Sequence, residues 1–160
     1  MNKNERLAVA LQHCKSIADE LTFSQSWLSK ESIDAKWVAD LGNDDFRKER
    51  VSAFCARFVR FQDYLADKII KLWLEAVGER VGVAFENFSA VERAGILSIP
   101  SEQMLEMRLL RNRLTHEYFD AHETFAHELN SAIIATTQLI ETFNNLQEYC
   151  KHRLHIDETK

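Results

Sequence analysis

The stretch between Asp45 and Gly78 constrains the fold more than any other part of the chain. Val51, Phe54, Phe58, Phe61, Leu65, Ile69, Leu72 and Ala76 recur in steps of three and four, so a helix gathers them into one stripe. Cys55, Val59, Ala66, Ile70, Trp73 and Val77 make a second stripe beside the first. Together they cover about half the circumference of a helix, more than one neighbour can bury. The pattern predicts the longest helix of the protein, capped by Asp44 or Asp45. It must touch at least two further elements, and a second subunit is one candidate. Asp63 falls at the edge of the apolar arc, with Arg60 and Asp67 farther toward the polar side.

Four glycines and one proline in 160 residues favour long helices with short connections. Leu7, Leu11, Cys14, Ala18, Leu21 and Leu28 predict an amphipathic helix over 4–29, with one apolar position missing near Gln25. Ile33, Trp37, Val38 and Leu41 suggest a short helix ended by Gly42 and Asn43. Phe85, Phe88, Val91, Ile96 and Leu97 suggest another, with Ser89 as its cap and Gly95 near its end. Ser101 is expected to cap the next helix, and Phe125, Leu129, Ile133, Thr136, Ile140, Phe143, Leu146 and Cys150 line the last. The expectation is a single all-α domain, an up-and-down bundle of four or five main helices. Residues 1–43 supply an N-terminal helix and a short helical extension packed on the bundle. Residues 44–151 form the core, and 152–160 a tail with no apolar face that frays.

Function classes narrow on the same page. No run of eighteen apolar residues exists, which argues against a membrane span. The N-terminus lacks the continuous apolar core of a signal peptide. Cys14, Cys55 and Cys150 show no paired spacing, which fits a reducing cytoplasm and apolar filler. A net charge of −5 excludes a surface coated for polyanions, so nucleic-acid work needs a local basic site. His122, Glu123 and His127 spell HExxxH, one residue too long for two zinc ligands on one helical face. No metal or other cofactor is expected.

Met104 to Phe119, MLEMRLLRNRLTHEYF, holds the densest chemistry. On a helix, Met107, Leu110, Leu114 and Tyr118 form an apolar stripe, and Glu106, Arg113 and Glu117 a charged side. Arg108, Arg111, Asn112, Thr115 and His116 gather within an arc of roughly 140°. Arg111 borders the buried stripe, where an uncompensated guanidinium costs several kcal/mol. Two readings fit. In one, Arg111 is a structural ion-pair partner of Asp63 or Asp67, and His116 simply ends a helix. In the other, Arg111 and His116 face a shared phosphate. Arginine then stabilises growing charge, and histidine moves the proton of a ribose 2′-hydroxyl.

Arg111-Asn112-Arg113-Leu114-Thr115-His116-Glu117-Tyr118 resembles the R-x4-H-x-Y signature of HEPN domains, in particular the HepT-like branch. Phe88 to Leu97, FSAVERAGIL, is similar to the connector that precedes this motif in that branch. The resemblance covers roughly residues 45–150. It implies a four-helix up-down core, a homodimer with both motifs facing one cleft, and a metal-independent endoribonuclease in a bacterial or archaeal cytoplasm. Arg111 would bind phosphate and His116 would be catalytic. Arg108, Asn112 and Thr115 would hold the RNA substrate, with Asp63 orienting Arg111. The branch further implies a toxin–antitoxin module, in which an MNT-type nucleotidyltransferase antitoxin transfers AMP groups onto Tyr118. The rival implication is a non-catalytic subunit that binds substrate for a nucleotidyltransferase.

Overall fold

The computed structural model describes residues 1–115 and 121–156, and these are helical with no strand among them. Helix α1 spans Lys3–Leu28, and its start is written in the sequence. Asn2 accepts from the Glu5 backbone N–H while Glu5 returns its carboxylate to the Asn2 N–H, so two orphan donors are satisfied reciprocally. Short α2, Ala35–Ala39, is capped by Asp34 and runs into a tight turn at Asp40–Asn43. Asp44 then caps α3, Asp45–Asp63, by accepting from the Arg47 N–H.

The long rod predicted from 45 to 78 is present, but it is not uniform. After α3 comes a π-helical segment, Tyr64–Ile69, and then α4, Ile70–Ala76. The paired apolar positions Leu65–Ala66 and Ile69–Ile70 are all buried there, which a wider turn permits. The final helix α7, His122–Arg153, matches the rod in length, correcting the expectation that the rod is the longest element.

Between rod and end lie α5, Ala84–Arg93, and α6, Ser101–Leu114. Two capping expectations fail here. Ser89 sits inside α5 and returns its hydroxyl to the Phe85 carbonyl, while Val83 occupies the cap position. Pro100, in extended conformation, is the cap of α6. Ser101 is already helical, and its N–H is taken by the Glu92 carboxylate of α5. That carboxylate also lies at the positive end of the α6 dipole, which favours it there. Gly95 does close α5, at φ +76°, a backbone conformation that suits glycine.

Pairwise contacts give the layout. Arg6 reaches Glu75 and Ser24 meets Arg57, so α1 runs antiparallel to the rod. Arg111 and Arg108 of α6 meet Asp63 and Asp67, which makes that pair antiparallel too. Gln25 donates to the Ile133 carbonyl and Thr137 hydroxyl of α7, filling the gap in the α1 stripe with a cross-helix bond. Phe61 and Phe143 meet edge-to-face, with ring centroids 6.0 Å apart, across the middle. The result is an up-down helical bundle with one continuous core.

Two further expectations meet the described residues. Trp37, Val38 and Leu41 are buried, so the extension joins the core, and Asn130 of α7 donates to the Ile33 carbonyl to tie it down. The last helix runs on past the expected boundary at 152. Helix α7 continues to Arg153, His155 adopts φ +56°, and Ile156 folds back, buried, with its N–H on the Cys150 carbonyl.

Candidate functional site

The site lies in the seam between the rod and α6. Met107, Leu110 and Leu114 are buried, as their spacing requires, and that anchoring sets the rotation of α6. Arg111, one position beyond Leu110, is thereby carried to the edge of the core at 28% side-chain exposure.

Its partner is Asp63, the last residue of α3. Arg111 Nε donates to Oδ1 at 2.8 Å and Nη2 to Oδ2 at 2.6 Å, a two-point clamp of guanidinium on carboxylate. Nη1 donates to Asn112 Oδ1 at 3.1 Å. One N–H on each terminal nitrogen is left for another acceptor. Hydrogen bonding to Asp63 raises the Arg111 pKa above its ordinary value, against a smaller lowering by burial, and the Asp63 and Asp67 charges add to the rise. The guanidinium is therefore charged at every physiological pH.

One turn earlier on α6, Arg108 Nη1 lies 3.2 Å from Asp67 Oδ1. Asp63 directly precedes the π segment and Asp67 lies within it. A π turn takes more residues than an α turn and so brings positions four apart closer to vertical alignment. The two arginine–aspartate pairs form a short ladder along the seam. Beyond it, Lys71, Asp67, Asn87 and Arg108 line a cleft of about 280 Å³. Asn87 is buried and braces the wall by bonding both the N–H and the carbonyl of Gly82.

Thr115 is exposed at the end of α6 and donates its hydroxyl to the Asn112 carbonyl at 2.6 Å. Asn112 keeps its amide N–H groups free of any partner among the described residues. His116 and Tyr118 lie outside the described residues. Of the other expected site residues the seam brings together Arg108, Arg111 and Asp63, with Asn112 bonded to Arg111, while Thr115 meets only the carbonyl of Asn112 on its own helix. Arg113 is directed elsewhere, to Glu128 on α7, at 2.7 Å.

Periodicity missed Glu128, although its position three after Phe125 and four before Ala132 puts it on the buried face of α7. One of its oxygens meets Arg113, and the other is buried without a partner among the described residues. The π segment was missed as well. Its only trace in sequence is the doubled apolar pairs at 65–66 and 69–70. Among the described residues no cluster of His, Cys, Asp and Glu is arranged to hold a metal ion. No helix among them is long and apolar enough to cross a membrane.

With that geometry in view, no protein-family model matches the chain, and neither a curated protein nor a solved structure matches it.

Proposed function

We propose that this chain is a HepT-like HEPN protein, a metal-independent endoribonuclease acting as the toxin of a toxin–antitoxin module. The observation that carries the reading is the Arg111 clamp. Asp63 holds two N–H groups of the guanidinium, and further N–H groups remain available near the end of α6, whose last residue is Leu114, two positions before His116 in sequence. A guanidinium held this way is preorganised for a phosphate oxygen and loses little freedom when it binds one.

In the proposed reaction, His116 takes the proton of a ribose 2′-hydroxyl, and the oxygen attacks the adjacent phosphorus. The P–O5′ bond breaks, the departing 5′-oxygen leaves as a hydroxyl by taking a proton from solvent water, and His116 returns its proton to solvent. The product strand ends in a 2′,3′-cyclic phosphate. Arg111 neutralises the charge that grows on the non-bridging oxygens, and Arg108, Asn112 and Thr115 hold the strand. Two copies of the chain form a homodimer, with the two motifs on a common cleft. An MNT-type nucleotidyltransferase silences the site by adding AMP to Tyr118, since a bulky anion beside Arg111 and His116 occupies the phosphate position and repels RNA.

Expression of the chain should arrest growth, and Arg111→Ala or His116→Ala should abolish the arrest at equal protein level. Arrest that persists in both variants rules out this chemistry. A harmless wild type that binds a nucleotidyltransferase tightly favours the non-catalytic subunit.

A further inference from the structure

A second surface, on the other flank of α3 and using none of the residues of the Arg111 site, has chemistry of its own. Phe46, Arg50, Ala53, Arg57, Arg60 and Tyr64 follow steps of four and three, and so line one edge of the rod. Across from them, α1 contributes His13, Glu20, Phe23, Ser24 and Trp27. The Arg50 guanidinium lies 4.8 Å from the Phe46 ring centroid, 5.3 Å from Trp27 and 5.8 Å from Phe23. Trp27 and Phe46 meet edge-to-face at 5.7 Å. Despite these contacts Phe23 remains 63% exposed and Phe46 57%. At the far end His13 packs edge-on against Tyr64.

The charge along this edge is one-sided. Arg60 meets the Glu20 carboxylate at 3.4 Å, but Arg57 reaches only the Ser24 hydroxyl and the Glu20 carbonyl. Arg50 has no carboxylate partner among the described residues. Three guanidiniums thus face one carboxylate, in a chain whose net charge is −5. Arg50 and Arg57 tie α1 to α3 through the rings and through Ser24, and yet keep a charge that no carboxylate among the described residues neutralises, beside two exposed phenyl rings. That combination suits an anionic, flat-faced ligand.

We infer that the α1–α3 edge binds single-stranded nucleic acid, its bases stacking on Phe23, Phe46 and Trp27 and its phosphates meeting Arg50 and Arg57. Every base offers a π-face, so rings and guanidiniums interleaved at this spacing grip a strand without reading its sequence. A second copy of the chain fits poorly, because a two-fold contact through this patch sets arginines against arginines. The inference concerns binding only and stands whether or not the Arg111 site cleaves RNA.

The test is fluorescence anisotropy with the full chain and a labelled oligouridine of about a dozen nucleotides, beside a duplex of equal length, over a range of salt. Binding of the single strand is expected in the micromolar range, with the duplex weaker because its bases are already stacked. Phe23→Ala and Phe46→Ala should each weaken binding roughly tenfold. Arg50→Glu should weaken it more, and Arg57→Gln should lower the salt slope by about one. The exposed Ile134→Ser, on α7, should change nothing. The oligonucleotide should also quench the tryptophan fluorescence of the wild type, and Trp27→Phe should remove that quenching, since Trp37 and Trp73 are buried. The inference is overturned by no binding at about 10⁻⁴ M in low salt, by affinities indifferent to these substitutions, by equal affinity for duplex, or by binding without quenching.

Discussion

Asp63 and Arg111 form the two-point contact on which the proposed function rests. The pair is partly exposed, at 38% and 28% of its side chains, so solvent screens it and its net contribution to stability is about 1 kcal/mol or less. Its worth lies in geometry. Asp63→Ala should shift the thermal midpoint by only a few degrees and still lower ribonuclease activity at least tenfold, through loss of Arg111 orientation. An unchanged rate would show that Asp63 only balances charge.

The thiols make a second residue-scale prediction. Burial pushes Cys14 and Cys55 up from 9.0 to about 12. An acid with a raised folded pKa favours the folded state below its unfolded value and loses that advantage as pH rises toward the folded one. Urea stability should therefore fall from about pH 9 to about pH 12, more steeply than in the Cys14→Ala/Cys55→Ala variant. Equal slopes would mean that the thiols ionise without consequence.

At the scale of elements, apolar spacing made the helices legible, and side-chain caps marked some of their starts. Leu7 to Leu28 and Phe54 to Ile69 are buried where steps of three and four put them, and Asp44 caps where an aspartate before a helical run should. Ser101 and Ser89 do not cap because capping preference is local, whereas Pro100 holds the cap position of α6 and Glu92 of α5 takes the Ser101 N–H, a contact set by how the two helices meet. Ile156 was misread for a related reason: one apolar residue after a helix has no period, and only the fold-back at His155 buries it.

The π segment matters most at this scale, since it sets the spacing of Asp63 and Asp67 against Arg111 and Arg108. Deleting exposed Lys68 lets Tyr64–Ile69 relax to an α turn while α3 and α4 keep their faces. The variant should retain its helical circular dichroism and lose growth arrest. Full toxicity would make the π turn incidental to the site.

The whole molecule is a bundle whose interior says little about chemistry and whose surface says more. Its net charge of −5 is distributed unevenly. The rod–α6 seam neutralises each of its two arginines with an aspartate, whereas the α1–α3 edge leaves Arg50 and Arg57 without carboxylate partners among the described residues. Sequence spacing brought out the first of these, because Arg108 and Arg111 share a helix face with Asn112 and Thr115. The second depends on α1 and α3 lying side by side, and only the fold puts Phe23 and Trp27 against Arg50.

Whether Arg111 and His116 together cut RNA is tested most directly by the ends of the product strands. Purified protein should cleave single-stranded RNA in excess EDTA, and mass spectrometry should find 2′,3′-cyclic phosphate at the new 3′ ends. Arg111→Ala and His116→Ala should each slow the reaction by about two orders of magnitude or more. Wild-type protein that leaves RNA intact, or cleavage that survives both substitutions, contradicts the account.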